Sequence, residues 1–469
     1  MPLRSVDLTV KFPRKALAAS AMVASMVGAA LAAGVSAPAI SERSVRSHME
    51  FLASDALDGR GSGTRDEWIA ATYLGSQMQA FGLEPLGDDG GYVQTIAISH
   101  TEIVGSPTLN AGSLRLVNGS QMILLEAAAA KVAGALRKYH PGDKAAHADA
   151  FLMPEGASPA DEDAWSGAAM IFWQESPQLR AMWEALRSRP VTIGRVRLLG
   201  IAADQKARPP FPVQILLSAD SYRAIAALPT GSPMSVVAET REVTSHTWNA
   251  VGRISGADPA QRGQVILLTA HLDHLGEKGT GPDRIYNGAD DDASGTIAVL
   301  TLAQAIAAGP RPKRSIVFAM FGSEEVGSIG ARYFISRPTV PLESITANLE
   351  FEMIGRSDAA VADHTLWLTG WERTNLGPEL ARHGARLVAD PHPDQHFFMR
   401  SDNITLARRG VVAQTVSSYG LHAQYHQPSD DISHIDFQHM TDSINSMLGP
   451  IRWLADSGFT PSWMPGGRP

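Results

Sequence analysis

The 469-residue chain contains no cysteine. Disulfides therefore add nothing to its stability, and any metal ion it holds must be bound by histidine and carboxylate groups. Without a cysteine after the N-terminal apolar run, a lipoprotein anchor is excluded too. Basic charge is scarce: 40 Lys and Arg face 48 Asp and Glu, a formal net charge of -8. The basic residues form no stripe, which argues against nucleic acid as a partner. No internal repeat at a solenoid period is present, so stacked-repeat architectures are set aside.

Long hydrophobic runs are also missing, with one exception. Arg4, Lys11, Arg14 and Lys15 precede an apolar stretch at 16–33 rich in Ala, Val and Met. Ala30 and Ala32 frame an A-x-A site, while Ala37 offers a second that Pro38 makes less suitable. The run is short and weakly hydrophobic for a membrane span and has the layout of a secretory signal peptide over 1–33. The expectation is an exported bacterial protein, periplasmic or extracellular, with no stable membrane span after cleavage.

At this length one hydrophobic core rarely suffices, so more than one domain is expected. Residues 41–105 are expected to form the N-terminal part of the main domain, with 41–94 reading as a helical lead-in. Ser41 and Ser44 can cap a helix running to Ala53, and Asp66 a second one ending at Gly82. In that second helix Ile69, Tyr73 and Met78 fall on one face and suit a core. Residues 106–242 alternate short apolar stretches with Pro/Gly/Asp-rich loops, which suggests an inserted β-rich module. Residues 243–458 repeat strand, loop and helix. The continuous apolar runs 265–270 and 315–321 flank a helix at 294–308, closed by Gly309 and Pro310. The fold class that follows is α/β: a mostly parallel central sheet covered by helices on both faces, with the β-rich domain inserted. The Pro/Gly-rich tail, 459–469, reads as flexible.

Five segments in the second half carry acidic and histidine residues where strands run into loops: AHLDH (270–274), GADDDASG (288–295), SEEVG (323–327), NLEFEMIG (348–355) and YHQPSD (425–430). Ligands of open α/β sheets bind at such ends. His271 can bind a metal ion, with Asp273 orienting its ring. The adjacent Asp290, Asp291 and Asp292 repel one another unless a pair of dications sits among them, and one carboxylate can bridge the two ions. Of Glu324 and Glu325, one can bind metal while the other stays free to move protons. Glu350 and Glu352 alternate with apolar residues and share a face, where carboxylates need a partner. His426 offers a further nitrogen, and the Tyr425 hydroxyl can polarise a substrate carbonyl. His274, His396, His422 and His434 have no strand-end context or acidic partner to single them out. The set suits two metal ions and a free base, hence a hydrolase.

AHLDHLG, YNGADDDASG, FGSEEVGSIGA, NLEFEMIGR, RSDN and YHQPSD resemble, in order over about 245–455, the motifs of the dizinc exopeptidases. That family includes bacterial secreted aminopeptidases, glutamate carboxypeptidase and glutaminyl cyclase. The lead-in FLASDALDGRGSGT resembles the start of bacterial members. The insert stands where many members carry a protease-associated domain, although its own match is weak. The resemblance implies a zinc exopeptidase-like fold and two Zn2+ per chain. One ion would be held by His271, Asp291 and Glu352, the other by Asp291, Glu325 and His426. Glu324 would be the general base, Asp273 the orienting carboxylate, and Tyr425 the stabiliser of the tetrahedral intermediate. Glu352 departs from the usual aspartate, and Asn403 stands where His is common. The acidic pocket suits a peptide substrate with a free N-terminus, so aminopeptidase action is favoured. The alternatives are a glutaminyl cyclase with one zinc, a carboxypeptidase using Arg356 or Arg400 for the substrate carboxylate, or a catalytically dead binding ectodomain.

Overall fold

A computed structural model describes residues 39–469, apart from 128, 141, 156, 158–166, 177–191, 202–211 and 280. The expected signal segment 1–33 lies outside these residues. The main sheet is built from β1 (Val93–Ala111), β2 (Pro233–Ile254), β3 (Val265–His271), β4 (Ser315–Phe321), β5 (Ile345–Phe351), β6 (Leu366–Leu368), β7 (Leu387–Ala389) and β8 (Ala413–Ser417). Its order is β7-β6-β8-β5-β3-β4-β2, with β1 also paired to β2. The central strands β8, β5, β3 and β4 run parallel. Antiparallel joints lie outside them, between β6 and β8 and between β2 and β4.

Every residue of β3 and β4 is buried. A strand sends alternate side chains to opposite faces, so a strand buried along its whole length must have cover on both sides. Ile266, Leu268 and Ala270 join one core, Val265 and Leu267 another. Helices α1 (Glu42–Leu52), α2 (Arg65–Ala80), α3 (Gly295–Ala307), α4 (Ile329–Ser336), α5 (Asn403–Ala407) and α6 (Phe437–Asp456) supply that cover. Residues of α1, α2, α3 and α6 pack on the first face, those of α4 and α5 on the second. In α3 only Gln304 and Ala307 escape burial, because other helices pack around it on the sheet.

Local signals set the helix starts. Ser41 Oγ accepts the Ser44 amide at the head of α1. The expected cap of α2 is displaced by two residues. Thr64, in extended backbone, accepts the Asp66 and Glu67 amides, whereas Asp66 already lies inside the helix.

The β-rich region forms its own cores on the continuation of the same sheet. Beyond β2 the order runs Lys131–Lys138, Asp149–Leu152, Met170–Gln174, Val213–Leu217 and Met122–Glu126. The borders expected at 106 and 242 fall within β1 and β2, not in loops. These strands pair from Met234 and Ala111 to Ala250 and Val93, with one break in register where Gly105, Ser106 and Pro107 stand opposite Ala238. Residues 104–106 and 239–242 are exposed, so the borders mark a waist in one ladder. Gly105 and Pro107 interrupt the ladder at that point, and the pairing resumes on both sides of them. The tail also differs from expectation. Trp463 donates to the Gly410 carbonyl at 3.0 Å and packs on Phe398, and Arg373 holds the Gly467 carbonyl at 3.0 Å. An indole with a buried partner ties down a segment that its Pro/Gly content marks as loose.

Candidate metal centre

The five segments converge at the carboxyl ends of the parallel strands. His271 ends β3, Glu324 and Glu325 follow β4, Glu352 follows β5, and Asp291 sits in the turn before α3. His426 comes from the loop after β8 and has a left-handed φ of 56°. Asp291 is the meeting point. Its Oδ1 lies 3.2 Å from His271 Nε2, and its Oδ2 lies 3.2 Å from His426 Nε2 and 3.8 Å from His274 Nδ1. Glu325 faces the same two histidines, with Oε1 2.8 Å from His274 Nδ1 and Oε2 3.3 Å from His426 Nε2. Two ligand groups result: His271, Asp291 and Glu352, and His274, Asp291 and Glu325, each with its donor atoms within 4.8 Å of one another. His426 stands beside the second group.

Among the three adjacent aspartates the roles divide by hydrogen bonding. Asp292 accepts the amides of Gly295, Met353 and His271 and so ties together the start of α3, the loop after β5 and the end of β3. Asp290 accepts the Gly355 amide at 2.7 Å and pairs with His422 at 2.8 Å. Asp291 is the member turned toward His271, His274 and His426. Asp430 supports the turn from below, accepting the Asp290 and Asp291 amides. The two flanking glycines are required by close approach. A Cβ on Gly288, at φ 57°, would stand 2.2 Å from the Asp291 carbonyl, and one on Gly295 would stand 2.0 Å from the Phe351 carbonyl.

Asp273 holds the next strand end in place. Its Oδ1 accepts the Glu324 amide at 2.9 Å, and Ser62 donates to its Oδ2 at 2.6 Å. The His271 ring meets the Asp273 backbone carbonyl at 3.2 Å, closer than the carboxylate at 3.7 Å. Below these loops lies Arg60, 1% exposed, whose guanidinium donates to the carbonyls of Leu272, Asn287, Gly288 and Leu52.

The donor set fits a pair of zinc ions. Nε2 of His271 and of His274 are buried without a hydrogen-bond partner, although carboxylates stand close by. Asp291, Asp292, Glu324, Glu325 and Glu352 crowd one region, and carboxylates in such surroundings need cations to stay ionised. Burial above all, reinforced by Asp402, Glu325 and Glu352, pushes Glu324 well above the usual carboxylate range against the pull of His271. Glu325 goes the other way, to about 2, because His274 and His426 outweigh burial and the repulsion from Asp291. The adjacent glutamates thus sit in opposite environments.

Beside the ligands opens a pocket walled by Met353, Trp367, Phe397, Tyr419 and Tyr425. Trp367 stacks on Phe397 at 5.4 Å, and its indole nitrogen donates to Asp358 at 3.0 Å. The Tyr425 ring stacks on His426 at 3.9 Å. All eight residues expected at the site are brought together here. The ranking of the remaining histidines is corrected. His274 is fully buried and has Glu325 as its acidic partner, and His422 has Asp290. Those partners lie 51 and 132 positions away, so sequence neighbourhood hides them. The adjacency of His274 to Asp273 was the available signal. Arg60 and Asp430 left no trace beyond membership in matched motifs.

Comparison with known proteins agrees with this architecture. Residues 249–448 match the sequence profile of peptidase family M28. Leupeptin-inactivating enzyme 1 of Streptomyces exfoliatus is 33% identical over 110 residues, which is 23% of this chain and 23% of that enzyme. Leucine aminopeptidase 2 of Trichophyton rubrum is 30% identical over 115 residues, 24% of this chain and 21% of its own length. The chain thus spans about a quarter or less of these curated relatives. The solved aminopeptidase of Aneurinibacillus sp. strain AM-1 superposes with a TM-score of 0.56 at 17% identity, covering 90% of this chain and 95% of that one. A zinc aminopeptidase of Bacillus subtilis gives a TM-score of 0.57 at 17% identity, covering 90% and 97%. These likenesses establish a shared fold. Residues 249–448 therefore form a domain of peptidase family M28.

Proposed function

We propose that this chain is an exported zinc exopeptidase, an aminopeptidase that removes N-terminal residues from peptides, with two Zn2+ per chain. The observation that carries the reading is Asp291, whose two oxygens face two separate ligand groups across one buried carboxylate. His271 and Glu352 would hold one ion with it. Glu325 would hold the other with His426, and His274 stands close enough to share that place. When bound, zinc supplies Lewis acidity, making water a nucleophile near neutral pH and polarising a carbonyl. Glu324 would take a proton from the attacking water at its carboxylate and return it to the leaving nitrogen. Its backbone amide is fixed by Asp273, so the carboxylate arrives prepositioned. Tyr425 offers its hydroxyl to the oxygen on which negative charge develops. The surrounding carboxylates favour an ammonium, as a free N-terminus provides. Among the described residues no helix is long and apolar enough to cross a membrane.

The test is a panel of aminoacyl-nitroanilides with wild type and Glu324→Ala, together with elemental analysis. The expectation is two zinc ions in both proteins, hydrolysis by wild type, and a loss of about 10²-fold or more in the variant. Failure of wild type on every substrate would sink the aminopeptidase reading, and full activity of the variant would sink the role of Glu324. One zinc with cyclisation of N-terminal glutamine would point to the cyclase instead.

A further inference from the structure

Arg400 lines the same pocket as Asp291, Glu324, Glu325 and Glu352. It is exposed, and its guanidinium lies 5.0 Å from the centroid of the Phe397 ring. Its charge reaches both Tyr419 and Tyr425, whose hydroxyls it pulls downward against burial. Yet it makes no ion pair with any described residue, although the pocket is rich in carboxylates. Arg356 and Arg60, two further cations near the site, are occupied: Arg356 donates to Gln424 at 3.0 Å and to Asp430 at 3.1 Å, and Arg60 to backbone carbonyls. Arg400 is thus the cation of this pocket whose donors remain open.

A guanidinium resting on an aromatic face is oriented at little entropic cost and presents a planar fork suited to a carboxylate. We infer that Arg400 is a specificity-determining residue that binds a carboxylate on the leaving side of the substrate. This rests on the exopeptidase reading. The substrate then carries opposite charges, an ammonium among the site's carboxylates and a carboxylate at Arg400, with apolar groups against the intervening aromatic wall. Short zwitterionic peptides fit that description, because their C-terminus lies within reach of the same pocket. An acidic side chain next to the scissile bond carries the same chemistry, and the experiment separates the two sources.

The holoenzyme is assayed on Leu-Ala, Leu-Ala-amide, Leu-Glu-amide and Leu-Gln-amide, as wild type, Arg400→Ala and Arg400→Lys. For wild type, kcat/KM for Leu-Ala should exceed that for its amide by about tenfold or more, the worth of one charge-assisted pair. In Arg400→Ala that ratio should fall to near one, mostly through KM, and Arg400→Lys should restore part of it. If the preference instead separates Leu-Glu-amide from Leu-Gln-amide and falls with the same variant, the bound carboxylate is a side chain. Equal rates within both pairs for wild type, or ratios that Arg400→Ala leaves unchanged, would overturn the inference while leaving the exopeptidase intact. Cleavage of none of the four by wild type would overturn both.

Discussion

Replacing Arg60 by Met keeps the approximate length of the side chain and removes all its donors. The guanidinium bonds to Leu272 at 3.0 Å, Asn287 at 2.7 Å and Gly288 at 2.9 Å, and also to Leu52. Those four carbonyls belong to three segments: the end of α1, the loop after β3 and the turn that carries Asp291. Leaving a buried acceptor unpaired costs about 1–3 kcal/mol, so the four together come to at least roughly 4 kcal/mol. Arg60 also faces Asp273, Asp292, Asp291 and Asp430, whose attraction sustains its charge although burial lowers its pKa. Removing the cation exposes those carboxylates to each other. Since whole domains are stable by only about 5–15 kcal/mol, the variant should unfold at far lower denaturant. Arg60→Lys should recover little, because an ammonium cannot reach three segments with one planar fork. Urea unfolding of the metal-stripped protein isolates the effect from metal binding. A midpoint for Arg60→Met within error of wild type would refute the reasoning.

Other outcomes follow from single positions. Gly288→Ala places a Cβ 2.2 Å from the Asp291 carbonyl and 2.5 Å from the His274 ring at φ 57°, so zinc content by elemental analysis should fall along with the melting temperature. Retention of both ions would count against the Asp291 turn as the centre. Glu352→Ala removes a ligand of one group only, so zinc should drop from two toward one per chain; two retained ions would exclude Glu352 as a ligand. Burial pushes His48 from 6.5 down to about 4, its ring 2.8 Å from the Tyr73 hydroxyl. The unfolded chain therefore takes the proton first. The contribution is complete above about pH 6.5 and is lost as pH falls toward 4, on the order of 3 kcal/mol. His48→Gln should flatten the loss of unfolding free energy between those pH values, and an unchanged slope would remove His48 from the account.

The sequence alone determined the sheet. Mostly apolar, wholly buried runs at 265–270 and 315–321 require cover on both faces, supplied by α1, α2, α3 and α6 on one side and α4 and α5 on the other. It also placed the ligand-bearing residues at strand ends, since a carboxylate or histidine just after such a run stands at the sheet's edge. What the sequence left open depends on groups far apart along the chain. Whether Asp66 or Thr64 caps α2 depends on where the backbone turns helical. The tail looked loose until Trp463 found Gly410. Only the tertiary structure gave His274 its partner Glu325, set Arg60 beneath three loops and left Arg400 unpaired beside Phe397. Charge and hydrogen bonding act through space over a few ångströms, and no sequence spacing encodes which distant group will occupy that space.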